Sequence, residues 1–260
     1  MIITILGAGA FGTALGKILT DNQHEVKYYD PYLYPETSLE QATYQANAIV
    51  IAMPSASIPE FLTNYPDNLK KLPTILTSKG ICDADLFKDF AAFSALSGPG
   101  FSQEILDGKP ATFTESAPFA MGIFKNDQIS IELQEDLPGI LICGTLKNIY
   151  AIGAGYHGDS ENESAMFIEH AHSEMERYLV DHGGKAETAE LACGIGDLVL
   201  TCTNETSRNY MCGVRLREGK KLPEIIAEYK TIEGLTALQN IDHKGYMILE
   251  EIYGLVQQVD

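Results

Sequence analysis

Gly7-Ala8-Gly9-Ala10-Phe11-Gly12 has the form G-x-G-x-x-G, and the chemistry such a segment supports is the holding of a pyrophosphate. The first glycine permits a tight turn, and the second lets backbone approach the phosphates. The third lets a helix pack close to a strand, with the helix N-terminus facing the anion. An apolar run, Ile2–Leu6, precedes the glycines and a helical stretch to about Thr20 follows them. That context favours a dinucleotide-binding turn over the alternative, a strand–helix turn with no ligand. Asp30 ends a second strand 18 residues after Gly12. A carboxylate there can accept hydrogen bonds from adenosine ribose hydroxyls and repels a 2′-phosphate. The first 138 residues contain no arginine to clamp such a phosphate. These features read as NAD in preference to NADP, with NADP still open. A solvated aspartate opening the Asp30-Pro31 turn is the other reading.

Two lysines and one polar cluster come next. Lys79, in Ser78-Lys79-Gly80, follows a strand candidate, where ligand-contacting groups collect in open α/β sheets. Lys147 lies in Gly144-Thr145-Leu146-Lys147-Asn148, inside an otherwise apolar helix, so it either snorkels or faces a polar site. Burial beside another cation would lower its pKa and suit it to proton transfer. Gly194-Ile195-Gly196-Asp197-Leu198 precedes Thr203–Asn209, and Ser207, Arg208 and Asn209 open a helix. A hydroxyl, a guanidinium, an amide and helix N–H groups in one turn make a phosphate cradle; a plain N-cap with a surface arginine is the alternative. His170 and His172 sit two apart on a helix and so point to different sides, which leaves them unable to share an ion with Glu169 and Glu174; no metal is expected.

These residues need elements to position them. Strand candidates at Ile2–Leu6, Glu25–Tyr29, Ala48–Met53, Pro73–Thr77 and Ala92–Leu96 alternate with helical or loop stretches, and residues 111–132 look strand-rich. Such alternation builds a parallel sheet covered on both faces. Beyond about Leu137 the pattern turns helical: Gly139–Tyr156 as a buried helix, Asn162–His182 as an amphipathic one, then Ser207–Glu218, Pro223–Tyr229 and about His243–Val256. On the Asn162 helix, Met166, Phe167, Ala171, Met175, Tyr178 and Leu179 share one face, with Glu169, Glu174, Glu176 and Arg177 mostly off it. The expected fold is α/β, a Rossmann-like N-terminal parallel-sheet domain (1–137) followed by an all-helical C-terminal domain (138–260).

The chain has 260 residues, 45% of them apolar, and a formal charge of −18 divided equally between its halves at residue 138. The acidic excess argues against nucleic acid as a partner and against an anionic membrane surface. Five cysteines without a C-x-x-C fit a reducing compartment. The apolar N-terminus has no basic region before it and reads as a strand, not a signal peptide. No apolar run approaches the roughly 20 residues that span a bilayer. A cytoplasmic protein is expected.

Taken together, GAGAFGTALG (7–16), SKGI (78–81), LSGPGFSQEILDGKPA (96–111), GTLKNIYAIGAG (144–155), GIGDLVLTCT (194–203), SRN (207–209) and IEG (232–234) resemble the bacterial type of NAD(P)-dependent glycerol-3-phosphate dehydrogenase, in the family's order over nearly the whole chain. The resemblance implies reversible reduction of dihydroxyacetone phosphate to sn-glycerol 3-phosphate, which supplies phospholipid backbones. It implies that Lys147 is the proton donor and acceptor and that Lys79 contacts substrate and cofactor. Gly98, Asp197, Ser207, Arg208 and Asn209 would bind substrate. Ala10, Phe11, Ser102, Thr231 and Glu233 would bind the cofactor, with Arg208 also near the nicotinamide nucleotide; Gly7, Gly9, Gly12 and Asp30 are cofactor-binding on the reading of the glycine turn and second strand given above. The partner is a small phosphorylated triose, with no membrane insertion, and a homodimer is left open.

The chain also departs from the pattern. It is shorter than usual members, after the second strand, around Gly158–Asn162 and beyond Tyr253. Gly100 stands where Ser or Thr is usual, His170 where an arginine is, and Asp30 where a basic residue is common. A related β-hydroxyacid or ketoacid reductase is the alternative enzyme; it would need a carboxylate site and no SRN cluster. A protein that binds NAD(H) without turnover is the alternative of another class.

Overall fold

The computed structural model describes residues 1–81 and 83–257, so Cys82 and the last three residues lie outside the description. The chain divides into two compact units, Met1–Lys79 with Asp83–Leu137, and Gly80–Cys82 with Pro138–Asp260.

The first unit is built on a seven-stranded sheet. Its strands are β1 (Ile2–Leu6), β2 (Glu25–Tyr29), β3 (Ala48–Ile51), β4 (Thr74–Leu76), β5 (Phe93–Ser97), β6 (Ala111–Glu115) and β7 (Ile129–Leu133). The spatial order is β2-β1-β3-β4-β5-β6-β7. The chain moves outward from β1 to β2 and then restarts on the other side of β1. This makes the β1/β3 boundary the switch point, and the Gly7 turn leaves β1 there. Every residue of β3 and four of five in β1 are buried, as strands covered on both faces require. Thr4, the one polar residue of β1, is buried because its hydroxyl donates to the Ala42 carbonyl at 2.7 Å. The sheet is parallel except at β5–β6, which are antiparallel. The connection between those two strands holds only one short helix of five residues, and the chain returns alongside β5 instead of crossing over a face.

Among the described residues this unit has five α-helices: α1 (Ala10–Asp21), α2 (Leu39–Thr43), α3 (Ile58–Thr63), α4 (Ser102–Leu106) and α5 (Met121–Phe124). Ala14, Leu15, Ile18 and Leu19 of α1 close over Ile3, Ile5 and Val50 in the core. β3 ends two residues before the expected Met53, where the chain turns away beside the glycine loop.

The second unit is helical: α6 (Leu137–His157), α7 (Glu161–Asp181), α8 (Asp197–Cys202), α9 (Arg208–Arg217), α10 (Leu222–Tyr229), α11 (Glu233–Leu238) and α12 (Met247–Gln257). A π-turn over Ala192–Gly196 leads into α8. Contrary to the sequence expectation, α6 is long and apolar enough to cross a bilayer, but 89% of its apolar window is buried inside the protein. It is the central helix of this unit. A Cβ on Gly155 of α6 would strike the Tyr210 carbonyl, and one on Gly213 of α9 would strike the Ile152 carbonyl. The glycines thus let α9 approach α6 closely, which sets the distance between Lys147-Asn148 and the Ser207–Asn209 turn.

The amphipathic reading of α7 needs two changes. Met166 is 61% exposed, while Glu174 is buried. The Glu174 carboxylate accepts from the Ile248 and Leu249 N–H groups at 2.9 and 3.1 Å. It therefore caps the first turn of α12, where an anion is favoured by the helix dipole. α12 begins four residues later than expected, because Gly245 turns with a positive φ of 82° just before it.

Candidate active site

In the first unit the glycine turn has the geometry that its sequence implies. Gly7 adopts φ 103°, and a Cβ there would come 2.7 Å from the Ala52 carbonyl, so no other residue fits without strain. Its N–H donates to the Tyr29 carbonyl at 2.8 Å and ties the ends of β1 and β2 together. Gly9, the residue before α1, is exposed, and a Cβ there would meet nothing within 4 Å. No side chain caps α1, and its first turn carries no acid. Unsatisfied helix N–H groups beside open space suit a pyrophosphate, so the residues present fit a dinucleotide. Ala10 is exposed, and Phe11 is half-buried with its ring edge-on to Phe113, 6.5 Å between centroids.

Asp30 holds this turn. Its Oδ2 accepts the Ala8 N–H at 2.9 Å, and its Oδ1 accepts the Tyr32 and Leu33 N–H groups at 3.0 and 3.1 Å. Both readings of the sequence are thus partly met: Asp30 opens the Asp30-Pro31 turn and also braces the glycine loop. Burial pushes its carboxyl pKa up, but the three N–H donors outweigh that and hold it below the ordinary value. Of about four acceptor positions on a carboxylate, roughly one remains for a ribose hydroxyl. Lys79, half-buried, donates from Nζ to the Gly98 carbonyl at 3.1 Å. Gly98 has no room for a side chain, since a Cβ would stand 2.5 Å from the Thr112 carbonyl. Ser102 is half-buried at the first position of α4.

In the second unit Lys147 is not a snorkelling side chain. It is only 8% exposed, and its Nζ lies 3.3 Å from Asp197 Oδ1 and donates to Thr201 Oγ1 at 2.9 Å. The charged group facing it is thus an anion, Asp197, and not a second cation. Thr201 hydroxyl donates in turn to the Asp197 carbonyl at 2.6 Å, one helical turn back in α8. Lysine, aspartate and threonine form one buried unit in which the hydroxyl fixes where the ammonium points. Cys202 lies alongside; burial, the largest effect, pushes its thiol pKa far up, so it stays protonated and inert. Cys143, Cys193, Cys202 and Cys212 are all free and buried.

The Ser207–Asn209 turn opens α9 as expected, but its three side chains differ in what they have left to offer. Ser207 caps the helix, accepting the Tyr210 N–H at 3.3 Å and keeping its own proton to donate. Asn209 is buried, accepting the Gly234 N–H and donating to Asn148 Oδ1, both at 2.9 Å. Asn148 donates in turn to Glu233 Oε2 at 3.1 Å. Arg208 is exposed. Arg215 pairs with Glu218 and Glu228, Arg217 with Asp159, and Arg177 donates to the Gly245 carbonyl; Arg208 alone of the four arginines has no such partner among the described residues. In a chain of charge −18, an unneutralised guanidinium at a helix N-terminus is suited to an anion. Thr231 is exposed and Glu233 half-buried at the start of α11.

Two residues of this arrangement escaped the sequence reading. Thr201 had a signal, its spacing of four from Asp197 on one helix face. Asn148 had one in its adjacency to Lys147, but its partners, Asn209 and Glu233, are far away in sequence.

A glycine turn that fits a pyrophosphate at the switch point of a doubly wound sheet, with a buried lysine–aspartate pair in a helical unit, is the arrangement of an NAD(P)-dependent dehydrogenase. Family models give the particular one. The N-terminal region of NAD-dependent glycerol-3-phosphate dehydrogenase matches residues 2–32 and 29–118, and its C-terminal region matches residues 136–258. The glycerol-3-phosphate dehydrogenase (NAD(P)+) of Acaryochloris marina is 34% identical over 256 residues, covering 90% of this chain and 81% of that protein. The enzyme of the same name from Bacillus pumilus is 31% identical over 281 residues with the same coverage. The crystal structure of glycerol-3-phosphate dehydrogenase from Coxiella burnetii shares the fold, with a TM-score of 0.86 at 22% identity over 99% of this chain and 94% of that one. The chain belongs to the NAD-dependent glycerol-3-phosphate dehydrogenase family, whose reaction is the reduction of dihydroxyacetone phosphate to glycerol 3-phosphate with NAD(P)H.

Proposed function

We propose that this chain reduces dihydroxyacetone phosphate to sn-glycerol 3-phosphate, reversibly, with Lys147 as proton donor and Arg208 as the principal phosphate ligand. The observation that carries the assignment is the buried Lys147–Asp197–Thr201 unit. Reduced nicotinamide, when bound, supplies a hydride to the substrate carbonyl carbon. Negative charge then builds on the carbonyl oxygen, and a positioned ammonium stabilises it and delivers the proton. Asp197 and Thr201 supply the positioning: the carboxylate neutralises the buried ammonium, and the hydroxyl fixes its direction. Ser207 and Arg208, at the first turn of α9, take the phosphate group, and Asn209 anchors that turn to α6 through Asn148. Holding the remote phosphate fixes a small triose in register for the chemistry.

On the cofactor side, residues 1–137 act as the dinucleotide-binding domain and residues 138–260 as the catalytic domain. Gly7, Gly9, Ala10, Phe11 and Gly12 cradle the pyrophosphate, and Asp30 favours the unphosphorylated ribose of NAD. Lys79, Gly98, Ser102, Thr231 and Glu233 complete the contacts to substrate and cofactor. The partners are small molecules, with neither nucleic acid nor membrane insertion, and the free buried thiols suit a cytoplasmic site of action.

The test is spectrophotometric. Purified protein with dihydroxyacetone phosphate should consume the absorbance of NADH, and more slowly that of NADPH. No loss with either cofactor would overturn the proposal, whereas faster use of NADPH would overturn only the Asp30 assignment. Equal turnover of an unphosphorylated 2-ketoacid would favour the ketoacid-reductase reading instead.

A further inference from the structure

The two histidines of α7 part company in the fold. His170 pairs with its exposed neighbour Glu169 at 3.3 Å. His172 instead faces the short turn Ala186–Glu190, where its Nε2 lies 3.2 Å from the Ala189 carbonyl oxygen and 3.6 Å from Glu190 Oε1. Glu176 stands one helical turn beyond His172 and therefore on the same face. The ligand atoms of His172, Glu176 and Glu190 all lie within 4.8 Å of one another.

We propose that His172, Glu176 and Glu190 bind one divalent transition-metal ion, with the Ala189 carbonyl oxygen in reach as a fourth ligand. Two atoms that each stand ~2.0–2.2 Å from a shared ion are themselves roughly 3–3.5 Å apart. The separations of 3.2 and 3.6 Å around His172 therefore need only small side-chain adjustment. One imidazole nitrogen with two carboxylates suits zinc, cobalt or manganese better than magnesium or calcium, which take oxygen ligands alone. The two carboxylates balance the charge of the ion, so no net charge is buried. A hydrogen bond from Nε2 to the Ala189 carbonyl uses the Nε2–H tautomer, so ion binding requires the neutral ring to shift its proton to Nδ1 and free the Nε2 lone pair. The objection that residues two apart on a helix cannot share an ion applies to His170 with His172. It does not apply here, where the ligands are four apart on α7 with the third brought in by another segment.

The ion would fasten the Ala186–Glu190 turn to α7. That turn packs directly under the π-turn that precedes Asp197: Gly194 has no room for a Cβ against the Ala189 backbone, and Cys193 Sγ donates to the Thr188 carbonyl at 3.6 Å. The site is thus a clamp on the segment that delivers Asp197, separate from the reaction itself.

The experiment is a calorimetric titration of the full chain, freed of metal by chelator, with zinc chloride, and a parallel titration with cobalt chloride read in the visible spectrum. Wild type should take up one equivalent of zinc, and cobalt should develop ligand-field bands. His172→Ala should weaken zinc binding by at least ~10-fold and abolish the cobalt bands. Glu190→Gln tests the same claim at a side chain that is 61% exposed, where a near-isosteric change is expected to leave the fold intact. His170→Ala should bind as wild type does. The absence of zinc uptake by wild type would overturn the proposal, as would zinc uptake equal in wild type, His172→Ala and Glu190→Gln.

Discussion

Lys147 Nζ and Asp197 Oδ1 face each other at 3.3 Å across α6 and α8, with side-chain exposures of 10% and 2%. An ion pair so placed is a poor source of stability but a strong constraint, because neither partner tolerates removal of the other. Asp197→Ala is therefore expected to lower unfolding free energy by about 3–5 kcal/mol, the usual cost of stranding a buried charge. Asp197→Asn, which keeps a hydrogen-bond acceptor, should cost less and still reduce turnover. Chemical denaturation of the two variants beside wild type measures this, and an Asp197→Ala midpoint equal to wild type would contradict it.

Arg208 is expected to act on substrate binding and hardly on the fold. It is exposed and has no partner among the described residues. A charge-assisted bond to phosphate is worth about 1.5–3 kcal/mol, so Arg208→Ala should raise KM for dihydroxyacetone phosphate roughly 10- to 100-fold. Its melting temperature should stay near that of wild type. Steady-state kinetics at two ionic strengths would also show a weaker salt dependence in the variant. An unchanged KM would remove Arg208 from the phosphate site.

Asp30 couples the cofactor preference to the loop. Asp30→Ala removes both the repulsion of a 2′-phosphate and three hydrogen bonds to Ala8, Tyr32 and Leu33. NADH affinity should fall, and the NADPH-to-NADH ratio should rise by roughly tenfold, which corresponds to ~1.4 kcal/mol. Because the folded-state pKa of Asp30 is lowered, its contribution to stability is present above the unfolded value of 3.8 and is lost as pH falls through the folded one. The variant should accordingly show less acid sensitivity than wild type below the unfolded value of 3.8 in thermal melts. A ratio that does not move would show that Asp30 only braces the turn.

Glu115, the last residue of β6 between β5 and β7, is fully buried with neither carboxylate oxygen hydrogen-bonded. Burial raises its pKa to about 7, and a nearby Met121 N–H offsets that only in part. The folded state then binds the proton more tightly than the unfolded one, so stability is highest below pH 4.5 on this account and falls as pH rises to about 7. Glu115→Gln should be more stable than wild type at pH 8, by an amount on the order of 1–3 kcal/mol, and should lose that advantage near pH 4. Urea titrations at the two pH values test the sign. The same difference at both would mean that Glu115 does not titrate in this range.

Much of this arrangement was legible in the sequence, for identifiable reasons. The glycine turn, its flanking strands and the Ser207 cap are local, with turn chemistry and apolar runs close together in the chain. Lys147 stood out because a charge interrupts an apolar helix, which left snorkelling and a polar site both open, and the family resemblance then gave it a role. What could not be read was the identity of its partners. Asp197 and Thr201 lie 50 and 54 residues away, and only the packing of α8 on α6 makes them neighbours. The buried Glu174 was misplaced for a similar reason: its partners are the backbone N–H groups of α12, which sequence periodicity does not see. The antiparallel β6 was missed because a strand pattern carries no information on direction.

The central claim is that Lys147 delivers the proton, and the most direct measurement compares Lys147→Ala with wild type in two assays on the same preparations. Turnover of dihydroxyacetone phosphate with NADH should fall by about 10²–10⁴-fold, the usual contribution of a positioned acid. NADH binding, followed by nicotinamide fluorescence, should remain within roughly threefold, since the pyrophosphate cradle of residues 7–12 is untouched. Turnover by Lys147→Ala equal to wild type would contradict the assignment outright.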